Sequence, residues 1–265
     1  MNIKNFEYLK EGLKYLGFAD KLNADLENRI REQPTEFKLN LVGEFATAQK
    51  KEQVNYTLDF TKSDQTDMYF LNRYQATLKN EDPAREKTQT FYITKNSGVT
   101  AKEAYNLLSG RSVNKDLVNK EGQTYNAWLQ LDFQDKDKND NYKLKQYHSG
   151  YGYDLDMALS KYPIKEQLDA DQKAKVIKSL AKGNLTQVTF AREGGEDKMF
   201  IAASPQYKNL DLYDAKMQKQ FQGIDRKEKE PAKAQEQKES QKQELDEEGE
   251  GKQQKKSSRR RGIGV

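Results

Sequence analysis

The sequence predicts an α+β protein: antiparallel meandering sheets with short helices, two helix–glycine–hairpin units, and a disordered, charged C-terminal tail. Three observations predict it. Apolar residues alternate with period two in several stretches, most cleanly Val54 to Phe60 and Thr124 to Phe133. Helical spacing is confined to short runs that stop at glycine or proline. From about Gly223 the composition shifts abruptly to Lys, Glu and Gln. The divisions that follow are 1–98 for N-terminal helices and strands, 99–165 and 166–222 for the two units, and 223–265 for the tail.

Phe6, Leu9, Leu13 and Leu16 recur at helical spacing, so Lys4 to Leu16 should be an amphipathic helix ending near Gly17. Leu22, Leu26 and Ile30 mark a second helix, stopped ahead of Pro34. Phe37, Leu39 and Leu41 alternate, then Val54, Tyr56, Leu58 and Phe60. In Met68 to Leu78 the alternation puts Met68, Phe70, Tyr74, Ala76 and Leu78 on one face, with Tyr69 and Leu71 on the other. Gln89 to Ile93 completes an antiparallel meander.

The first unit opens with a capping box, Thr100 and Glu103, ahead of a helix with Ala104, Leu107 and Leu108 inward and Gly110 as its stop. Val113 to Val118 is a strand, and Asn119 to Gly122 a turn. In the next strand Tyr125, Ala127, Leu129, Leu131 and Phe133 share one face; Asn126, Trp128, Gln130 and Asp132 share the other. Pairing it with Asn141–His148 so that apolar residues stay together sets Phe133 opposite Tyr142 and Leu131 opposite Leu144. The opposite face then matches Asp132 with Lys143, Gln130 with Lys145, and Trp128 with Tyr147.

After Gly150 to Tyr153, Asp154 to Leu159 reads as a short helix ended by Pro163. Asp169 to Lys182 is a longer one, with Ile177 and Leu180 inward and Gly183 closing it. Strands at Val188–Phe190, Met199–Ala202 and Tyr207–Tyr213 follow. Helix, glycine and meander recur in the order of the first unit. Two diverged copies of one unit, or generic α+β pieces in the same order, both account for this.

Charged residues make up 33% and apolar ones 34% of the 265 residues, a polar balance concentrated in the tail. About +3 of the formal +4 charge lies from Arg226 onward, so the body is nearly neutral. The absence of cysteine removes disulfides, thiol nucleophiles and thiolate metal sites. No apolar run approaches a signal core or a membrane span, so a soluble, cytoplasmic protein with no membrane partner is expected.

Several runs carry a family resemblance: Thr66-Asp-Met-Tyr-Phe70, Lys102-Glu-Ala-Tyr-Asn-Leu-Leu108, Gly110-Arg-Ser-Val-Asn-Lys115, Asn119-Lys-Glu-Gly122, Tyr125-Asn-Ala-Trp-Leu-Gln-Leu-Asp-Phe133, Asn141-Tyr-Lys-Leu-Lys145 and Tyr162-Pro-Ile164. Over Met1 to about Tyr213 the chain resembles an uncharacterised protein family of conjugative transposons from anaerobic gut bacteria. Its glycine–hairpin portion is similar to a repeated domain of unknown function in larger proteins of such elements. The resemblance implies a mobile-element setting near topoisomerase and mobilisation genes, with DNA close by, and supplies no catalytic residues.

Candidate sites are few. His148 is the sole histidine, which excludes His-based triads and multi-His metal sites. Asp135 to Asn141 looks like the start of a calcium loop, but Asp140 stands where the loop glycine belongs and Gln146 where the bidentate glutamate belongs. A charged hairpin loop is the better reading, and no cofactor is expected. Lys252, Lys255, Lys256, Arg259, Arg260 and Arg261 form a basic end without an acid, suited to salt-sensitive, sequence-independent DNA attachment; a solubilising tail is the other reading. Trp128, Tyr147, Lys143 and Lys145 would make a stacking surface for single strands if exposed, although a lone tryptophan usually packs. The expected function is a non-enzymatic accessory protein of a mobile element that associates with DNA through its tail. The alternative is a protein–protein module for topoisomerase or mobilisation proteins.

Overall fold

A computed structural model of the chain describes residues 1–47, 51–93, 98–192 and 194–220. The expected tail, 223–265, lies outside them. The fold is α+β, with antiparallel sheets and short helices.

Two helices come first, α1 (Ile3–Tyr15) and α2 (Asn23–Glu32). The Asn2 side chain accepts from the Asn5 amide at the start of α1. Gly17 (φ 85°) and Gln33 (φ 58°) take the left-handed conformation that turns the chain out of each helix. Strands β1 (Glu36–Ala46), β2 (Lys51–Lys62), β3 (Tyr69–Leu78) and β4 (Lys87–Tyr92) then form a sheet in sequential order. Its inner face carries Leu39, Val54, Tyr56, Leu58, Phe60, Tyr74 and Ala76, all buried with the apolar faces of α1 and α2. Phe18 wedges edge-on between Tyr56 and Tyr74, at 5.3 Å from each ring.

The face assignment for β3 needs correction at its start. Asp59 pairs with Arg73 but Phe60 with Leu71, so Asn72 is an extra residue on β3. The bulge reverses the parity of everything before it. Tyr69 is therefore buried and Phe70 is 40% exposed, the opposite of what uninterrupted alternation predicts.

Helix α3 (Ala101–Leu108) begins at the capping box, with both reciprocal bonds between Thr100 and Glu103 in place. Two buried tyrosine hydroxyls tie its start to the sheet: Tyr56 donates to the Ala101 carbonyl (2.7 Å) and Tyr74 to Val99 (2.8 Å). Strands β5 (Val113–Val118), β6 (Thr124–Lys136) and β7 (Tyr142–His148) make a second sheet. Leu131 faces Leu144, Asp132 Lys143, Gln130 Lys145 and Trp128 Tyr147, the register expected from side-chain chemistry. A bulge after Asp132 moves Tyr142 opposite Lys136 instead of Phe133. The Phe133 and Tyr142 rings still meet edge to face, at 4.9 Å. Ala127, Leu129 and Leu131 bury in the same core as α1 to α3, which runs on across residue 98.

Helices α4 (Leu155–Ser160) and α5 (Ala170–Ala181) are capped by Asp154 and Asp169. They pack with β8 (Thr186–Arg192), β9 (Gly195–Ser204) and β10 (Asn209–Tyr213) around a second core that includes Leu159, Leu180, Phe190 and Ile201; β11 (Lys219–Gln220) pairs with β10. In α5 it is Val176 that buries with Leu180, while Ile177 is only partly covered. Tyr207 lies in a short 3₁₀ turn and is 70% exposed, so the last long strand starts later than its alternation predicts.

Both units end their helix the same way. The Gly110 and Gly183 amides donate three residues back, to Leu107 and Leu180; the next amides, of Arg111 and Asn184, donate five back, to Asn106 and Ser179. This is the Schellman arrangement, with both glycines at positive φ. The two helix ends also meet. Asn106 donates its side-chain amide to the Lys182 carbonyl (2.6 Å), and Arg111 Nε donates to Gly183 (2.9 Å). The α3 terminus thus supplies an amide and a cation to the carbonyls of the Lys182–Gly183 turn that ends α5.

Candidate interaction surfaces

Trp128 sits in the middle of β6 with Asn114 on one side and Tyr147 on the other. It is 8% exposed and Tyr147 9%, and together with Ala203 they form a small apolar cluster closed by Tyr153, Leu155 and Ala181. The face opposite the main core is therefore covered by Tyr153, by Leu155 of α4, by Ala181 of α5 and by Ala203 of β9. The stacking surface expected around Trp128 is corrected here: its ring meets Tyr153 and cannot receive a base. Periodicity identifies this face as separate from the core, but the elements that cover it lie up to 75 residues further along the chain and leave no local sign.

Lys143 and Lys145 remain on the surface, and each has a carboxylate partner. Lys145 bonds Asp132 at 2.7 Å and Lys143 bonds Asp135 at 2.8 Å. The Lys145 contact, helped by the Gln134 amide, holds the Asp132 carboxyl below the usual range, and the two ammonium groups are correspondingly raised. Such a strip is nearly neutral to a phosphate backbone.

The calcium-like stretch is the β6–β7 loop. Asp137 accepts from the Asn139 amide (2.8 Å) and the Asn141 amide (3.0 Å), which draws its pKa down, and Asp140 takes φ 63° at the turn. The carboxylate is engaged by its own loop as in an Asx turn. The loop also closes the first sheet. Asn141 Oδ1 accepts the Thr90 amide at 2.8 Å, and Gln89 Oε1 accepts the Tyr142 amide at 2.9 Å, plugging the β4 edge. His148 ends β7 with its ring tilted against Tyr125 at 5.3 Å. Among the described residues no group of three or more His, Asp or Glu is placed to hold a metal ion.

Other cations of the body have structural partners too. Lys87 donates to the α3-terminal Leu108 carbonyl (3.3 Å) and lies 3.8 Å over the Phe133 ring; burial lowers its pKa. Arg111 bonds Asn106 Oδ1 (2.6 Å) and lies over Tyr105, whose hydroxyl donates to Glu52 (2.7 Å). Lys79 pairs with Glu86 at 2.5 Å.

Sequence reasoning did not single out the outer face of the first sheet. There Asp59 accepts from Arg73 (2.7 Å) with Lys38 at 3.7 Å, Thr57 donates to Asn40 (2.8 Å), and Tyr92 stands 56% exposed at the edge of the patch. The alternation of β1 and β2 already placed Lys38, Asn40, Thr57 and Asp59 on one face; that signal was available. A polar, open sheet face with a few exposed aromatic and aliphatic groups can accept a partner surface but presents no assembled nucleophile, base or oxyanion site.

Lys252, Lys255, Lys256, Arg259, Arg260 and Arg261 lie outside the described residues. Among the described residues no helix is long and apolar enough to cross a membrane. Comparison of the chain with protein-family models, curated proteins and solved structures finds no match.

Proposed function

We propose that this protein is a non-enzymatic accessory protein of a mobile genetic element, acting in the cytoplasm, that associates with DNA through its basic end, Lys252 to Arg261. One observation carries the reading: the charge contrast between body and tail. Lys143 and Lys145 are paired with carboxylates, while the six cations of the basic end have no acid among them in sequence. Attachment of this kind is sequence-independent and weakens steeply with salt. The mobile-element setting rests on the resemblance carried by runs such as Tyr125 to Phe133 and Gly110 to Lys115. Electrophoretic shift of single- and double-stranded DNA by the intact chain at low salt tests it; no shift in moderate excess of protein sinks it.

A second reading is favoured by the open outer face of the first sheet, with Tyr92, Val42 and Phe70 at 56%, 48% and 40% exposure. It is a protein–protein module for topoisomerase or mobilisation proteins, without direct DNA contact. Co-purification of such proteins from the native host, unchanged by nuclease, supports this reading; loss on nuclease treatment returns the case to DNA.

A further inference from the structure

The edges of the sheets are treated unequally. The outer edge of β4 is plugged by Asn141, as described. On β8, Glu166 accepts the Thr189 amide through both carboxylate oxygens (3.0 Å each), and the Ala191 amide donates to Pro163 (2.8 Å). Strand β1 is different. It is an 11-residue edge strand, and among the described residues β2 is its sole partner. It contains no proline, and no lysine beyond Lys38. A long regular edge of this kind is a template for a further strand.

The direction of its free groups follows from the ladder. Lys62 donates to the Thr35 carbonyl, and pairing runs without a bulge from Glu36–Thr61 to Ala46–Lys51. Odd-numbered residues from Phe37 to Phe45 therefore bond β2, and Glu36, Lys38, Asn40, Val42 and Glu44 turn their N–H and C=O groups to the free edge. A second copy added antiparallel must pair these residues with one another. Three two-fold registers keep the overlap long, centred on Asn40, Leu41 or Val42. Centring on Asn40 puts Glu36 against Glu44, a like-charge pair. Centring on Val42 puts Lys38 against Ala46 and Asn40 against Glu44. Centring on Leu41 sets Lys38 opposite Glu44 twice, once in each direction. It also sets Phe37 opposite Phe45, and Leu41 opposite itself, on the core-facing side. Both charged side chains belong to the exposed face, and among the described residues the ion pair of Lys38 is a long one, to Asp59 at 3.7 Å.

We infer that β1 is a self-association edge. Two copies of this chain join their first sheets through antiparallel β1–β1 pairing centred on Leu41, with Lys38 and Glu44 as reciprocal ion pairs that select the register. The dimer is isologous, so it closes and does not propagate. This stands apart from DNA attachment, which involves other residues.

Sedimentation velocity of the full chain across a concentration series tests it. A monomer–dimer equilibrium is expected for the wild type. K38E puts glutamate opposite Glu44, and E44K puts lysine opposite Lys38; each is expected to weaken the dimer by about tenfold or more, because two pairs change sign at once. The double variant K38E/E44K restores the pairs and is expected to return to within about threefold of wild type. V42P removes an N–H that faces the free edge while sparing the β2 ladder, and is expected to leave a monomer with unchanged circular dichroism. A wild type that stays monomeric throughout, or a dimer unmoved by either single charge reversal, overturns the inference. If V42P does not fold, the charge exchange alone decides.

Discussion

Trp128 and Tyr153 meet edge to face, ring centroids 5.3 Å apart and planes inclined at 72°, at the seam between the second sheet and the elements that follow it. That contact joins two parts of the chain that each have their own apolar core. It makes the single tryptophan a reporter of the seam.

Trp128→Ala removes a nearly buried indole from this cluster and is expected to cost about 3 kcal/mol, the usual range for such a deletion. DNA affinity should not change, because the ring faces Tyr153. Urea denaturation of the variant gives the first quantity and a gel shift the second. The wild-type protein should show blue-shifted tryptophan emission that moves red as the seam opens.

Gly183 and Gly122 both hold positive φ, 76° and 81°. A Cβ on Gly183 would lie 2.8 Å from the Ser112 carbonyl and 2.8 Å from Val113 Cγ2, whereas one on Gly122 meets nothing within 4 Å. Gly122→Ala should cost about 1 kcal/mol, the conformational term alone. Gly183→Ala should cost about 2–4 kcal/mol, because overpacking adds to that term. Paired chemical denaturation curves check the ranking.

Burial drives the Tyr56 and Tyr74 hydroxyls upward from the ordinary phenol value, with Tyr105 adding to the first and Tyr56 and Glu103 to the second. A raised folded pKa means the stability they contribute is complete below about pH 10, the unfolded value, and is lost as pH rises above it. Tyrosinate absorbance from the buried pair should therefore appear only together with cooperative unfolding, well above the ordinary phenol range.

Acid acts through the β6–β7 hairpin. Asp137 is lowered by the Asn141 and Asn139 amides, and Asp132 by Lys145 and the Gln134 amide. Depressed carboxyls stabilise the fold above about pH 4 and lose that contribution as pH falls through their folded values. Carboxyl NMR titration should place both below the ordinary aspartate value, and Asp137→Asn should flatten the acid limb of the thermal stability curve.

Where sequence determined structure locally, it could be read. The Thr100–Glu103 box, the Gly110 and Gly183 stops, and the Leu131–Leu144, Gln130–Lys145 and Trp128–Tyr147 pairs all follow from neighbours within one element or one hairpin. The bulge at Asn72 was not legible, since one extra residue changes no composition yet exchanges Tyr69 and Phe70 between faces. The cover over Trp128 and the Asn106–Lys182 bond were hidden for another reason: they join residues about 75 apart, and no period along the chain encodes which helix ends meet. Of the ten residues expected to meet nucleic acid, the structure brings together Trp128 and Tyr147 by burying them, while Lys143 and Lys145 face solvent in ion pairs.

The central claim, that DNA attachment resides in the basic end and not on the folded body, is tested most directly by anisotropy of a labelled single strand across a salt series. The intact chain is compared with a full-length variant carrying K252Q, K255Q, K256Q, R259Q, R260Q and R261Q. Binding by the wild type should fall with a log–log salt slope no steeper than about −4, as six phosphate contacts on a single strand allow, and should vanish in the variant. Undiminished affinity in the variant would contradict the claim.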